Sequence, residues 1–379
     1  MSKNLQVPRY EDVGVRPLIN CIGTITTLSG SLILPEVRQA MAEASMRYVQ
    51  IDELMQGVGA RIAAVMQCEW GLVTAGCAAA LTQVTAACVA GTDPDKMRRL
   101  PDTSGMKNEV IVQASHRQGY DRAVTAVGTR LIEVTTRAEL EAAYTDRTAM
   151  LLIFGDAAER GEITVEEMVD SGHARGVPSF ADAAAERPDV PNWYLEQGVD
   201  AVAYSGGKCL RGPQASGLVL GRKELLQATF ANGCPHGSIG RPMKAGKEEI
   251  MGLLAAVQQW VARDHQAEWR EWERRLQVIA DAVSRFASVT TSIRTPGRSN
   301  VTPHMSILWD ADQVGVSPAE TRRQLSTGEP RIEVSGGEDG ISINPYMMEE
   351  GEEEIVARRL AQVLAAAFGD QTILQEEVA

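Results

Sequence analysis

The sequence predicts an α/β fold, with a large domain built on a mostly parallel central sheet and a small C-terminal α+β domain. Along the first 245 of the 379 residues, helical stretches alternate with short apolar runs, which is typical of a parallel sheet covered by helices. From residue 246 the chain becomes charged and helix-periodic over a long stretch. We therefore expect a large domain over 1–245, including an N-terminal arm, and a connecting helix with a small domain over 246–379.

Periodicity places the elements of the large domain in order. Apolar residues at helical spacing predict helices at 34–48, 55–67 and 164–176, and an alanine-rich buried helix at 77–91. Short apolar runs that mostly close on a glycine or an acid predict strands. These runs are "EWGLVTAG" (69–76), "NEVIVQASH" (108–116), "TRLIEV" (129–134), "TAMLLIFGD" (148–156), "VPSFADAAA" (177–185), "DAVAYSGGK" (200–208) and "SGLVLG" (216–221).

The small domain follows a single long helix in this reading. Charged, helix-periodic sequence runs without a glycine or proline stop from about 253 to 286, and we expect one connector helix over 247–286. Strands are expected at 304–310, 330–334 and 340–346, and a last helix at 351–368.

Composition excludes several classes of protein. A formal net charge of −13 makes nucleic acid a poor partner. The first residues lack the apolar stretch of a signal peptide, and no apolar run approaches the roughly 20 residues of a membrane span. Six cysteines without a CxxC pair predict reduced thiols and a cytoplasmic location. Five histidines without HxxxH or HExxH spacing argue against a metal site.

Lys208, in "SGGKCLRGPQASGLVLG", is the strongest candidate for chemistry. A phosphate-binding Walker loop would need glycine six residues before the lysine and Ser or Thr after it, but Val202 and Cys209 stand there. A lysine in a glycine-flanked turn at a strand end can instead project its amine into a cleft and attack an aldehyde. The alternative is a surface charge.

Asp182 and His116 each follow a predicted strand. An acid at the mouth of a buried parallel strand lies where open α/β sheets bind ligands. It also suits pyridoxal 5'-phosphate, whose ring takes up electrons best when a carboxylate keeps its nitrogen protonated. Asp182 could instead cap the next turn. The ring of His116 could stack on a cofactor, or it could be held in place by hydrogen bonds.

Three small residues, Gly76, Cys77 and Ala78, lie at a strand-to-helix turn in "VTAGCAAAL". Free N–H groups and the helix dipole make such a turn an anion cradle. Ser205 precedes Lys208 by three residues, so its hydroxyl could reach the same phosphate. The order along the chain, from phosphate turn to stacking residue, strand-end acid and lysine, indicates a pyridoxal phosphate site more strongly than any single member.

A resemblance to a known family is carried by "LINCIGTITTLSG", "VTAGCAAAL", "ADAAAE", "YSGGKCLRGPQ", "GRPMKAGKEEI" and "GEPRIEV". The chain resembles fold-type I pyridoxal phosphate enzymes, more closely the selenocysteine synthase branch, and most of all the D-glucosaminate-6-phosphate ammonia-lyase-like proteins. The resemblance covers nearly the whole chain. It implies pyridoxal 5'-phosphate as cofactor and a homodimer or larger homo-oligomer with active sites at subunit boundaries.

The resemblance also implies roles for single residues. Lys208 is the Schiff-base lysine, Asp182 is the partner of the ring nitrogen, and His116 stacks on the ring. The residues that hold the cofactor phosphate are Gly76, Cys77, Ala78 and Ser205.

Further basic residues are candidates for substrate binding. Arg331, in "GEPRIEV" on the small domain, would fork onto the substrate carboxylate, or it is a surface arginine on an edge strand. Arg241, Lys244 and Lys247 form a basic cluster in "GRPMKAGK". This cluster could hold a phosphate at the far end of the substrate, or the cofactor phosphate of a neighbouring subunit, or it is a solvated helix start.

The expected reaction is a PLP-dependent α,β-elimination, with Lys208 as general base, that converts a hydroxy amino acid to a 2-keto acid and ammonia. A phosphorylated amino-sugar acid is the candidate substrate. A racemase, epimerase or aldolase would use the same cofactor site, and Cys209 beside Lys208 leaves a racemase open. Selenium transfer to a charged tRNA is disfavoured by the acidic balance and by a family-like core that begins near residue 16. The remaining alternative is a cofactor-binding scaffold without catalysis.

Overall fold

A computed structural model describes residues 7–295, 297–299 and 301–369. The described chain divides into two compact units. The larger unit comprises Gly30–Arg263 and the short segment Gly297–Val301, and the smaller unit comprises the remaining described residues.

Helices and strands follow each other along the chain as listed here by type. The α-helices are α1 (Pro35–Ser45), α2 (Ile51–Met66), α3 (Cys77–Ala90), α4 (Pro94–Arg99), α5 (Asp121–Thr125), α6 (Arg137–Ala143), α7 (Val165–His173), α8 (Trp193–Glu196), α9 (Lys223–Ala231), α10 (Lys247–Ala262), α11 (His265–Val283), α12 (Ala311–Val314), α13 (Pro318–Thr327) and α14 (Glu352–Phe368). The strands are β1 (Ile19–Cys21), β2 (Trp70–Thr74), β3 (Glu109–Gln113), β4 (Arg130–Val134), β5 (Thr148–Phe154), β6 (Ser179–Asp182), β7 (Ala201–Ser205), β8 (Gly217–Gly221), β9 (Val289–Arg294), β10 (His304–Trp309), β11 (Ile332–Gly336) and β12 (Gly340–Ile343).

The larger unit is built on a seven-stranded sheet in the order β2-β8-β7-β6-β5-β3-β4. The run from β7 to β4 is parallel, whereas β8 is antiparallel to both of its neighbours. The carboxyl ends of β3, β5, β6 and β7 therefore meet at one edge of the sheet. This mostly parallel sheet confirms the predicted fold class.

Burial explains why these segments form central strands and a covering helix. All seven residues of β5 are buried, as expected for a parallel strand with helices on both faces. Twelve of the fourteen residues of α3 are buried, so this helix is apolar all round rather than amphipathic. Its alanines allow close packing against the sheet.

The smaller unit contains a five-stranded sheet in the order β1-β11-β12-β10-β9. β1 pairs parallel with β11, placing Ile19 opposite Ile332, and the other neighbours are antiparallel. Its core is formed by apolar side chains of the sheet together with α11 and α14, among them Leu276, Ile279, Ile307, Val356 and Leu360.

The connector predicted as one helix over 247–286 is wrong. α10 ends at Ala262 and α11 begins at His265, because the Asp264 side chain accepts hydrogen bonds from the N–H groups of Gln266 and Ala267 and so caps a new helix. The compact units accordingly divide after Arg263 rather than after residue 245, and the N-terminal segment up to Ser29 groups with the smaller unit.

No helix within the described ranges combines the length and the apolar character needed to cross a bilayer. Across the same residues, the structure has no group of three or more His, Cys, Asp or Glu side chains arranged to hold a metal ion.

Candidate active site

The predicted site residues of the larger unit gather at the carboxyl edge of its sheet. Asp182 is the last residue of β6, where it lies between Phe154 of β5 and Ala203 of β7 in the strand register. Lys208 follows the end of β7 at Ser205 by three residues. The alternation of strand and helix thus brings two residues 26 positions apart in sequence to the same edge.

The turn that carries Lys208 is fixed by its own backbone. The Lys208 N–H donates to the Ser205 carbonyl at 3.3 Å, and the Arg211 N–H donates to the Lys208 carbonyl at 2.9 Å. A Cβ on Gly207 would lie 2.3 Å from Gln214 Oε1 and 2.9 Å from Gln214 Cα. Glycine before the lysine is therefore required by close approach of the chain. Lys208 itself is half-buried.

The N-terminus of α3 has the character of an anion site. Its N-cap is Gly76, with φ +109°, and no side chain caps the helix, so the first N–H groups are free to bind a ligand. A Cβ at Gly76 would meet open space, and Ala78 is exposed. The Thr74 hydroxyl donates to the Gly76 carbonyl at 3.0 Å and steadies the turn.

Cys77 connects this turn to the other site residues. Burial raises the pKa of the Cys77 thiol well above its usual value, and the nearby carboxylate of Asp182 raises it further while Lys208 opposes the rise. A side-chain hydrogen bond joins Cys77 to Asp182. The α3 turn, the strand-end acid and the lysine are therefore neighbours.

These residues fit pyridoxal phosphate. Asp182 is 6% exposed, and one of its carboxylate oxygens accepts the Ala184 N–H at 3.1 Å. A buried, oriented carboxylate suits a protonated ring nitrogen, and the α3 turn suits a phosphate. Ser205 is half-buried at the end of β7, at the same edge of the sheet.

His116 is held inside the fold. It is 1% exposed; its Nδ1 accepts the Phe154 N–H at 3.4 Å, and its Nε2 lies 3.2 Å from the Arg160 carbonyl oxygen. A carbonyl can only accept, so these contacts place the ring proton on Nε2. This is the hydrogen-bonded alternative that the sequence raised. Stacking on a cofactor stays a prediction, and it would require the residues that cover the ring to move.

Cys209, the second acid–base candidate of a racemase, points into the protein. Its thiol donates to the Glu186 carbonyl at 3.1 Å, and the Arg263 guanidinium donates to the Cys209 carbonyl at 3.0 Å. Burial raises the pKa of the thiol to about 12. Such a thiol is a poor proton donor or acceptor near neutral pH.

The predicted substrate-binding residues lie in different surroundings. Arg331, in the smaller unit, donates from Nε to Glu333 Oε1 at 2.7 Å, so its guanidinium already binds a carboxylate. Arg241 and Lys244, in the larger unit between α9 and α10, are exposed. Lys247 begins α10 and forms an ion pair with Glu248. The exposure of Arg241 and Lys244 is compatible with each role left open for them.

Sequence reasoning missed two features of the site. Thr74 fixes the phosphate turn, although a hydroxyl directly before "AG" was a usable signal. Glu186, four residues after Asp182, is buried with Arg298. Its position in "ADAAAERP" identifies an acid but gives no sign of a partner 112 residues away.

Comparisons with known proteins agree with this geometry. The family model described as aminotransferase class-V matches residues 43–239. The chain is 30% identical to D-glucosaminate-6-phosphate ammonia lyase of Salmonella typhimurium, over 93% of this chain and 97% of that protein. It is also 30% identical to 5'-C-glycyluridine monooxygenase-decarboxylase of a Streptomyces species, over 97% of this chain and 94% of that protein.

A solved structure supports the same conclusion. The structure of D-glucosaminate-6-phosphate ammonia-lyase superimposes with a TM-score of 0.84 at 28% identity, covering 96% of this chain and all of that one. With the matched family model and the site geometry, this shows that the chain belongs to the aminotransferase class-V family and is a pyridoxal phosphate-dependent enzyme of fold type I.

Proposed function

We propose that the protein is an ammonia-lyase that converts a 2-amino-3-hydroxy acid to a 2-keto acid and ammonia. The observation that carries the proposal is the 30% identity, over 93% of the chain, to a protein named D-glucosaminate-6-phosphate ammonia lyase. The neighbourhood of Lys208 and Asp182 at one sheet edge supports it. The substrate class we propose is a phosphorylated amino-sugar acid, for which the exposed Arg241 and Lys244 are phosphate-binding candidates.

The chain's own residues would hold the cofactor at three points. The free N–H groups of Cys77 and Ala78 bind its phosphate, with the Ser205 hydroxyl as a further donor. The Asp182 carboxylate accepts the N–H of the ring and keeps it protonated. When bound, pyridoxal phosphate supplies a cationic ring that withdraws electrons from the carbon bearing the substrate amine.

Lys208 Nζ is then the base of the reaction. It removes the proton from Cα, the electron pair left behind forms the Cα–Cβ double bond, and the Cβ–O bond breaks. The Lys208 ammonium is positioned to return a proton to the departing hydroxyl, which leaves as water. The enamine tautomerises to an imine, and water hydrolyses the imine to the 2-keto acid and ammonia.

Two other reactions compete with this proposal. The equal identity to a monooxygenase-decarboxylase favours, as a second candidate, an oxygen-consuming reaction that releases carbon dioxide from the substrate carboxylate. A racemase needs a second acid–base group, and Cys209 is a poor one because its thiol is buried and bonded to a backbone carbonyl. This supports the lyase over a racemase that would use Cys209.

A substrate screen tests the proposal. Purified protein is incubated with D- and L-2-amino-3-hydroxy acids, with and without a terminal phosphate, including D-glucosaminate 6-phosphate. Keto acid, ammonia, oxygen uptake and carbon dioxide are measured, and exchange of the Cα proton for deuterium is followed by NMR. Lys208→Ala serves as the control for chemistry at this site.

The outcomes separate the reactions. Equal amounts of keto acid and ammonia, without oxygen uptake and lost in Lys208→Ala, support the lyase. Deuterium exchange without ammonia would indicate a racemase, and oxygen uptake with carbon dioxide would indicate the second candidate. Borohydride reduction followed by peptide mass analysis shows independently whether Lys208 bonds to the cofactor.

We further propose a cytoplasmic homo-oligomer that binds neither nucleic acid nor membrane. The six cysteines are all unpaired, which supports a reducing compartment. The loop between α1 and α2 exposes apolar side chains, with Met46 64%, Tyr48 102% and Val49 49% exposed, which supports self-association. Light scattering during size-exclusion chromatography would give the mass, and a monomer would contradict the proposal.

A further inference from the structure

A second buried carboxylate lies behind the site. The side chain of Glu186 is 0% exposed. Its Oε1 accepts the Tyr194 hydroxyl at 2.9 Å, and its Oε2 accepts Arg298 Nε at 3.2 Å. Burial raises the pKa of Glu186, whereas Tyr194 and Arg298 lower it. Because apolar residues often replace a buried ion pair without loss of stability, this one invites a role beyond stability.

Arg298 forms the other half of the cluster. Its second N–H group donates to Asp189 Oδ2 at 2.8 Å, and its guanidinium lies 4.5 Å from the centroid of the Trp193 ring. Arg298 belongs to the short segment Gly297–Val301, which groups with the larger unit although the chain on both sides of it groups with the smaller. Ser299 forms a β-bridge with Glu186. Backbone and side chain therefore both attach this segment to Glu186.

The main chain of Glu186 touches the turns of both predicted catalytic residues. Its N–H donates to the Ala183 carbonyl at 2.9 Å, in the turn that begins at Asp182. Its carbonyl accepts the thiol of Cys209, the residue after Lys208, at 3.1 Å. A displacement of Glu186 would thus be transmitted to the carboxylate and to the lysine together.

We infer that Glu186, held by Arg298 and Tyr194, is a positioning residue that fixes Lys208 relative to Asp182. It does not touch substrate in this role; it acts through the backbone of the two turns. The inference rests on the proposed function of Lys208 and Asp182, and it adds residues that neither the sequence motifs nor the comparisons assign.

Variants of the cluster test it against a matched pair elsewhere in the same unit. Arg298→Met and Glu186→Gln remove the ion pair, and Arg298→Lys keeps the charge but not the two-pronged contact. The control is Arg222→Met, which removes the partner of another buried carboxylate, Asp200, at the opposite edge of the sheet. The holoenzyme is assayed for melting temperature, kcat, KM and the pH midpoint of the cofactor absorbance.

We expect Arg298→Met and Glu186→Gln to lower kcat about 10-fold or more with KM nearly unchanged, because small misplacements of reacting groups are costly. The absorbance midpoint should shift by about 0.5 pH unit or more, since it reports the surroundings of the Lys208 linkage. Arg298→Lys should recover part of both effects. Arg222→Met should lower the melting temperature without either change.

Two results would overturn the inference. One is that Arg298→Met and Arg222→Met lower the melting temperature alike while kcat and the midpoint stay at wild-type values. The other is that Glu186→Gln, the mildest variant, retains full kcat. If wild-type protein forms no borohydride-reducible bond at Lys208, the proposed function itself fails, and that result is recognised before any variant is made.

Discussion

The Cys77 thiol is hydrogen-bonded to the Asp182 carboxylate. This contact joins the first residue of α3 to the last residue of β6. The phosphate turn and the acid that faces the ring nitrogen are therefore held in one arrangement by a side chain that sequence analysis considered only for its small size.

Replacing Cys77 by alanine removes the donor and should weaken cofactor binding. We expect the dissociation constant of pyridoxal phosphate to rise about 2- to 10-fold, the range for one modest hydrogen bond, because Asp182 is then oriented by the Ala184 N–H alone among these donors. Cys77→Ser keeps a donor and should stay near the wild-type value. Equilibrium dialysis measures both constants, and equal weakening by alanine and serine would contradict this reading.

A carboxylate placed in the first turn of α3 should exclude the cofactor phosphate. Ala78 is exposed at the second position of the helix, so Ala78→Asp is tolerated sterically and is favourable for the helix dipole. We expect cofactor affinity to fall about 100-fold by charge repulsion, with the melting temperature of the apoprotein unchanged or raised. Dialysis and calorimetry measure the two quantities.

The matched control for this variant is Ala319→Asp. Ala319 is exposed at the second position of α13, so it gives the same helix contribution without a phosphate turn. Cofactor affinity should stay at the wild-type value. If Ala78→Asp binds the cofactor equally well, the phosphate does not lie at α3.

Much of the fold and part of the site follow from sequence because local patterns encode them. Apolar runs such as that ending at Asp182 are buried strands, and the glycine before Lys208 reports close approach of the chain. The connector could not be read this way. The apolar periodicity continues through α10 and α11, and Asp264 looks like any other acid in a charged helix until its capping bonds are seen.

The direction of single side chains could not be predicted either. His116 ends its strand where a cofactor-facing ring was expected, but the Phe154 amide and the Arg160 carbonyl turn it inward. Arg298 meets Glu186 only because the chain returns after 112 residues. Such contacts depend on tertiary packing, which no periodicity records.

Asp200 should make the larger unit acid-sensitive. Burial acts to raise the pKa of Asp200, but hydrogen bonds from Arg222 and Ser179 outweigh it, and the pKa is lowered in the folded protein. A lowered folded pKa contributes stability above the unfolded value of about 3.9, and this contribution is lost as pH falls through the folded value. The melting temperatures of wild type and Asp200→Asn should therefore differ most above about pH 4 and converge below it.

Calorimetry from pH 3 to 7 measures this gap, which we expect to correspond to about 2 kcal/mol at neutral pH. Asp170→Asn, at an exposed position of α7, is the control and should track the wild type throughout. A gap for Asp200→Asn that stays constant down to pH 3 would show that the carboxylate charge is not its source.

Glu333 should compete with substrate for Arg331, if Arg331 binds the substrate carboxylate. The Arg331–Glu333 contact at 2.7 Å occupies the guanidinium, so Glu333→Gln should lower KM a few-fold. Arg331→Gln should raise KM about 10- to 100-fold, since hydrogen bonds to charged groups are worth about 1.5–3 kcal/mol. The double variant should match Arg331→Gln. Steady-state kinetics with the substrate found by the screen provide the values.

Arg323 offers the matched control for this pair. Its Nε donates to Glu320 Oε2 at 2.7 Å on α13, in the same unit, so Arg323→Gln removes an equivalent ion pair at a position without a predicted role. KM should stay at the wild-type value in this variant. A rise in KM common to Arg323→Gln and Arg331→Gln would assign both to stability, whereas a rise confined to Arg331→Gln, reversed in direction by Glu333→Gln, follows only if the guanidinium exchanges one carboxylate for another.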